Sequence, residues 1–294
     1  MNYILVTGGA GFIGSNLIEV LLKKTKCFII SLDDYSSGSV KNHIINKRVT
    51  YIKGNTVNFS KIFKNYKNKI STIFHFAEFS RISQSFEYID KCFQSNIIGT
   101  QQVIKYCLEN KIKIIYSATS ASLGNFGQDQ NLSPYAFTKS TNMNLIMNLN
   151  DWFKLKYEII YFYNVYGPKQ IYNSKMAAVI GIFEHCYKNN FPMPVVLPGT
   201  QTRKFTHVKD TVEACFYAYK KNKNANYSIS SKDSFSINQI ARLFSKKIRY
   251  IPERKGERFK SSLIRNVRGR KIIHLLGSVK IKDYIKQFKR KNMK

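Results

Sequence analysis

The sequence predicts a doubly wound α/β fold, a mostly parallel sheet with helices on both faces, carrying a smaller α+β lobe at its C-terminal end. Three observations predict it. Apolar, β-branched runs alternate with amphipathic stretches through the first half of the 294 residues. A glycine-rich turn, Gly8-Gly-Ala-Gly11-Phe-Ile-Gly14, joins the first such run to a segment with helical periodicity. After about residue 165 the alternation loses its regularity.

The runs Tyr3–Val6, Phe28–Leu32, Val49–Ile52, Thr72–His75, Ile112–Tyr116 and Ile159–Phe162 read as strands. Between them, Ile13–Lys23, Ser60–Tyr66, Tyr88–Glu109 and Ala136–Trp152 read as helices. Strands that alternate with helices pair in parallel through right-handed crossovers. In the second half, short strands at Pro194–Leu197 and Tyr227–Ser230 mix with helices at Asp210–Lys220 and Ile237–Lys246. The end of the chain, Phe288–Lys294, reads as a frayed basic tail.

Composition narrows the class. Hydrophobic content of 44% is that of an ordinary globular protein, and the longest apolar runs, such as Ala177–Phe183, are far too short to span a bilayer. The first strand begins almost at Met1, which leaves no room for a signal peptide, so the expectation is a cytoplasmic protein. The five cysteines (27, 92, 107, 186 and 215) are scattered and never form Cys-x-x-Cys, so they read as reduced, buried small hydrophobes. The five histidines show no metal-ligand spacing, and no metal is expected. The net charge of +31, from 48 Lys and Arg against 17 Asp and Glu, is unusual. Such a surface suits polyanions. The lysines are nevertheless spread along the whole chain and are abundant together with Asn, Ile, Tyr and Phe, the pattern of an AT-rich coding bias. Nucleic acid is not the expected partner.

The chemistry sits in two motifs. Glycines in a strand–turn–helix let the backbone approach a pyrophosphate, and the helix N-terminus offers it unpaired N–H groups. Asp33 closes the second strand, where a carboxylate meets adenosine ribose hydroxyls and repels a ribose phosphate, which selects NAD over NADP. Asp34 beside it reads equally well as a turn residue. The second motif is Ser133-Pro-Tyr135-Ala-Phe-Thr-Lys139, whose Tyr and Lys share one helix face. An ammonium held near a phenol favours the phenolate and makes tyrosine a usable base near neutral pH.

With these motifs the chain resembles an extended short-chain dehydrogenase/reductase acting on nucleotide sugars, most nearly the nucleotide-sugar 4-epimerases. The resemblance runs from Thr7 to Gly277. Its further landmarks are Phe74-His-Phe-Ala-Glu-Phe-Ser-Arg81, Asn96-Ile-Ile-Gly-Thr100 and Ser117-Ala-Thr-Ser-Ala-Ser-Leu-Gly124. Downstream come Tyr163-Asn-Val-Tyr-Gly-Pro168, Gln201-Thr-Arg-Lys-Phe-Thr-His-Val208 with Asp210, and Pro252-Glu-Arg-Lys-Gly-Glu257. It implies a Rossmann-type NAD-binding domain over residues 1–165 that also carries the catalytic residues. Residues 166–294 are then a substrate-binding lobe, interleaved with the core and not independent.

The resemblance also assigns roles. Tyr135 is the general base, Lys139 tunes it and holds the nicotinamide ribose, and Thr119 fills the family's Ser/Thr position. Gly8, Gly11, Phe12, Ile13, Gly14, Asp33, Asn55, Phe76, Ala77 and Asn96, with Tyr135 and Lys139, bind NAD. Asn164, Arg203 and Arg254 grip the sugar diphosphate, while Ser80 and Arg81 face the sugar or the nicotinamide. Ser120 and Ala121 stand where 4,6-dehydratases carry an Asp-Glu pair and where decarboxylating relatives keep a Glu in the region. The implied reaction is therefore oxidation and re-reduction at C4 of a nucleotide-diphosphate sugar, in a homodimer. Departures from the family pattern are Asn55 for an acidic residue, Leu123 for Tyr, Lys204 for Asp, and Glu78 where a small residue is common. A reductase or dehydrogenase with net redox change would use the same trio, and a non-catalytic NAD-binding or RNA-associated module stands as the rival from another class.

Overall fold

A computed structural model describes residues 2–123, 128–257 and 263–292. Gly124 and the last two residues of the expected tail lie outside them. The six expected strands of the first half form as β1 Tyr3–Thr7, β2 Phe28–Asp33, β3 Val49–Lys53, β4 Ile70–His75, β5 Lys113–Thr119 and β6 Tyr157–Phe162. They pair in parallel in one nine-stranded sheet. Its order is Asn266–Val267, Arg270–Leu276, Asn226–Ser230, β6, β5, β4, β1, β2, β3. Only the 266–267 strand is antiparallel.

The chain winds outward from β1 through β2 to β3, then crosses to the other side of β1 to lay down β4. The crevice between β1 and β4 is thus the topological switch point, where open α/β sheets bind ligands beyond the carboxyl ends of their strands. Thr7 pairs in register with Leu32 and with His75, and Thr119 with Phe162. All five of these strands therefore end at one edge of the sheet.

Both faces of the sheet are covered. Helices Phe12–Lys24 and Val208–Lys221 bury Leu17, Ile18, Leu21, Val212, Cys215 and Ala218 on one face. Helices Thr100–Glu109 and Pro134–Phe153 bury Val103, Ile104, Cys107, Met143 and Ile146 on the other. A third cluster, built around Tyr166, Phe183, Phe205 and Phe244, holds the later helices Val179–Lys188 and Ile237–Phe244. No helix among the described residues is long and apolar enough to cross a membrane.

Several local expectations are corrected. Strand β5 runs through Ser117 to Thr119 instead of stopping at Tyr116, and all seven of its residues are buried. The segment expected as one helix over Tyr88–Glu109 is helical throughout most of its length but contains a π-helical stretch at Gln94–Gly99, between Ile89–Phe93 and Thr100–Glu109. Such insertions recur at functional sites. Glycine at 99 permits it, since a Cβ there would lie 2.2 Å from Thr56 Oγ1. The C-terminal segment is not frayed over its described part. Ile281–Asn292 is a helix whose Ile281, Tyr284, Ile285 and Phe288 follow helical spacing and pack on the third cluster.

Candidate active site

The glycine turn is shaped by close approaches. Gly8 has φ +72, and a Cβ on it would meet the Phe76 carbonyl carbon at 2.9 Å and Ala77 N at 3.0 Å. The turn after β1 and the loop after β4 therefore touch backbone to backbone. A Cβ on Gly14 would lie 2.1 Å from the Gly8 carbonyl oxygen, which locks the helix start under the turn. Gly11 is the N-cap of helix Phe12–Lys24 and supplies no side chain to it, so the N–H groups of the first turn, at Phe12 and Ile13, face the crevice edge without a side-chain cap. This cradle fits a pyrophosphate.

Asp33 lies beside it and is 5% exposed. Its carboxylate accepts from Ala10 N at 2.9 Å and Tyr35 N at 2.8 Å, so it ties the glycine turn to the end of β2. Burial pushes its pKa up, against the pull of these N–H groups. Asp34 behaves as a turn residue, accepting from Ser36 N at 2.9 Å. Asn55 caps the short turn at Thr56–Asn58 by accepting from Val57 N, and donates to Asp34 at 3.2 Å.

Tyr135 and Lys139 lie in the first turns of helix Pro134–Phe153, which is started by Ser133 accepting from Ala136 N at 3.1 Å and by Pro134 in its first turn. They are 9% and 4% exposed. Tyr135 packs with Ala121, Cys92 and Ala136 in a small apolar cluster flanked by Phe79 and Ile82. Thr119, at the end of β5, is two residues from Ala121 and accepts its N–H at 3.1 Å. The three expected catalytic residues thus share one edge of the sheet.

Lys139 is held more firmly than its motif foretold. Its ammonium donates to the Ser117 carbonyl at 2.6 Å and to Ser117 Oγ at 3.2 Å, sits 4.8 Å over the Tyr116 ring, and forms an ion pair with Glu78. Glu78 in turn accepts from Tyr116 OH at 2.9 Å, Thr100 Oγ1 at 3.1 Å and Asn142 Nδ2 at 3.2 Å. Because Thr100 donates to Glu78, it must accept from His75 Nε2, 2.9 Å away. That leaves Nδ1 of His75 to accept from Thr7 Oγ1 at 2.8 Å. Thr7 Oγ1 itself receives the N–H groups of Phe76 and Ala77, each at 3.1 Å. An ordered chain of hydrogen bonds therefore links the end of β1 to Lys139. Burial pulls the pKa of His75 down to about 4, which suits the neutral ring this chain requires.

Sequence reasoning missed this layer. Of its members only Glu78 carried a signal, as a carboxylate at a position where a small residue is common. Asn96, expected to touch cofactor, joins Phe79 to helix Pro134–Phe153. It is fully buried within the π-helical stretch, accepts from Phe79 N at 2.6 Å, and donates to Phe79 O and Thr138 Oγ1. Phe76 and Ala77 line the crevice through their backbone.

On the outer side, Ser80 is exposed, and Arg81 donates through Nε to the Met176 carbonyl at 2.6 Å and through its fork to Ser80. Burial lowers the Arg81 pKa while the nearby Tyr135 oxygen raises it, which places the guanidinium within electrostatic reach of that tyrosine. Asn164, at φ +38, donates to the Lys204 carbonyl at 2.9 Å and so fastens the turn after β6 to the strand carrying Arg203. Arg203 pairs with Glu257 at 2.7 Å, and Glu257 N donates to the Arg254 carbonyl at 3.1 Å. The structure thus brings Arg203 and the loop of Arg254 together through Glu257, with Arg254 itself exposed.

This geometry has known counterparts. Residues 4–230 match the NAD dependent epimerase/dehydratase family. The chain belongs to that family. Members depend on NAD, and the glycine cradle with Asp33 beside it fits that cofactor. The chain is 31% identical over 231 residues to a Bacillus subtilis protein described as an uncharacterized UDP-glucose epimerase, covering 71% of this chain and 70% of the relative. It is also 31% identical over 267 residues to the dTDP-D-glucose 4,6-dehydratase of Dictyostelium discoideum, covering 81% of this chain and 60% of that protein. The fold superimposes on the UDP-glucose 4-epimerase of Thermotoga maritima with a TM-score of 0.86, at 24% identity, covering 99% of this chain and all of that one. The family therefore includes both epimerases and dehydratases.

Proposed function

We propose that this chain is an NAD-dependent nucleotide-sugar 4-epimerase. The observation that carries the reading is the edge where Thr119, Tyr135 and Lys139 meet while the two residues after Thr119 are Ser120 and Ala121, both buried and neither ionisable. Dehydration needs an acid and a base at that place, and the side chains there supply neither. A proton handle on one sugar carbon is what the trio offers.

NAD, held by the glycine turn and Asp33, would supply hydride exchange at C4, with return to the opposite face of the sugar giving the epimer. Tyr135 takes the proton of the C4 hydroxyl and gives it back, Lys139 favours the phenolate form needed for that step, and the Thr119 hydroxyl orients the sugar oxygen. Arg203 and Arg254 take the diphosphate, to which a guanidinium fork is matched in shape and charge, while Asn164 holds the strand that presents Arg203. A homodimer belongs to the same reading. Ile89, Phe93, Ile98 and Phe137 are exposed, and the Phe93 and Phe137 rings, on helices Ile89–Phe93 and Pro134–Phe153, stack 6.3 Å apart. Light scattering on the purified protein tests that part.

The decisive experiment offers UDP-, GDP-, CDP- and ADP-sugars to the purified protein, resolves the products by NMR, and assays free NADH. Epimer formation without net NADH, lost in Tyr135→Phe at unchanged melting temperature, is the expected result. Net NADH production would instead make the protein a dehydrogenase, and full activity in Tyr135→Phe would remove Tyr135 from the mechanism.

A further inference from the structure

Lys139 has a charged partner for which the proposed reaction has no use. The Glu78 side chain is 1% exposed and that of Lys139 is 5% exposed. A carboxylate withdrawn this far from water must be compensated by hydrogen bonds and an opposite charge. Glu78 has both: Lys139 on one oxygen, and Tyr116, Thr100 and Asn142 on the other. These three donors come from strand β5, helix Thr100–Glu109 and helix Pro134–Phe153, so the carboxylate is fixed from three sides independently of the lysine. Lys139 has only the neutral acceptors of Ser117 besides.

We propose that Glu78 is the built-in counter-ion of Lys139. It holds the ammonium against Ser117 and offsets its field at Tyr135, so that Glu78 and Lys139 together set the pH at which Tyr135 becomes a base. Glu78 is then a positioning residue acting through Lys139, and the idea rests on the reading of Tyr135 as the base.

The other titratable groups around the pair are His75 from β4, Cys92 from helix Ile89–Phe93, Tyr116 from β5 and Arg81 from the loop after β4. Burial holds His75 down to about 4 and pushes Cys92 and Tyr116 up, so these three are uncharged near neutral pH. Arg81 remains a cation, as a guanidinium does in proteins. Of these groups and the pair itself, Lys139 and Arg81 are cations and Glu78 is the anion; Asp129, buried on the turn Gln128–Asn131 that packs on helix Pro134–Phe153, is a second carboxylate, unchanged by the test. Without the anion the site is one unit more positive. A more positive site gives up a proton more readily.

The test compares Glu78→Gln, which keeps the shape and removes the charge, with Glu78→Asp, which keeps the charge. Two readouts are taken: the acid limb of the pH profile of kcat/KM, and the onset of tyrosinate ultraviolet absorbance as a difference against the same protein carrying Tyr135→Phe. In Glu78→Gln both should move to lower pH by about one unit or more, with a plateau kcat reduced about tenfold or more as the ammonium loses its anchor. Glu78→Asp should leave the limb near its wild-type position. A limb that stays put or moves up in Glu78→Gln overturns the proposal, even if stability falls. Should Glu78→Gln not fold, the pair is tested on stability. Lys139→Met, which strands the carboxylate, should be less stable than Lys139→Met combined with Glu78→Gln, whereas additive losses would overturn the pairing. Absence of turnover on every sugar would defeat the epimerase reading alone, since the absorbance and stability measurements do not depend on it.

Discussion

The floor of the site and its outer rim are built by opposite means. The floor, from Thr7 through His75, Thr100 and Glu78 to Lys139, is assembled from strand ends and helices, and each polar group in that run has a protein partner. The rim, with Arg203, Arg254 and Asn164, is assembled from short strands and loops, joined by the Arg203–Glu257 ion pair and by hydrogen bonds to backbone. A reaction that works on one proton needs groups that do not move, and the packed interior supplies them. For the proposed diphosphate the rim offers two cations, Arg203 buried on strand Thr202–Arg203 and Arg254 exposed on its loop. The floor should accordingly fail through folding and pH, and the rim through affinity.

Four perturbations separate the two, from the largest expected effect to the smallest. Gly14→Ala puts a methyl group 2.1 Å from the Gly8 carbonyl, so backbone must shift. It should lower stability by about 3 kcal/mol and strip NAD from the purified protein, both measurable by thermal melting and cofactor content. A variant that keeps its NAD and its melting point would show that the turn is more pliant than its contacts suggest.

The next concerns pH. His75 is neutral in the folded protein down to about pH 4, whereas an unfolded histidine titrates near its ordinary value of 6.5. Between those values the unfolded chain binds the extra proton, so stability falls as pH drops from about 6.5 toward about 4, by on the order of 3 kcal/mol. Urea midpoints taken across that window should show the fall in wild type and a flatter profile in His75→Gln. Equal slopes would remove His75 from the account.

Effects at the rim should be smaller and purely of affinity. Arg203→Ala should raise KM for the nucleotide sugar about tenfold with little change in kcat or melting temperature. Arg254→Ala, exposed and joined to the rim only through its backbone, should raise KM by about twofold or less. A reversed order, or a fall in kcat in either variant, would mean that the rim takes part in the chemistry.

The same division explains what could be read from residues alone. Strands β1 to β6 and the glycine turn are legible because each is a local pattern: an apolar run, a turn, a helical period. The Tyr135–Lys139 pair is legible because both residues ride on one helix. The floor is not, because His75, Thr100 and Asn142 meet only through tertiary structure and each is unremarkable in its own segment. Asn96, expected to touch cofactor, also bonds to the backbone of Phe79 and to Thr138, partners that no local pattern announces. Near the C-terminus, strand Arg270–Leu276 and the start of helix Ile281–Asn292 went unread, and the residues from Phe288 onward were read as a tail. Their abundant lysines and arginines hide apolar positions that are nonetheless correctly spaced.

The π-helical stretch at Gln94–Gly99 has a consequence for the numbering of the chain itself. It is a phase shifter: one residue more than a regular helix needs turns everything after it by about 100°. Deleting a single residue there would leave an ordinary helix of good local geometry. Thr100 would nevertheless point away from His75 and Glu78, and the lysine would lose its footing without any residue of the trio being touched. The length of the chain between residues 94 and 99 is therefore as much a part of the proposed site as the identity of Tyr135.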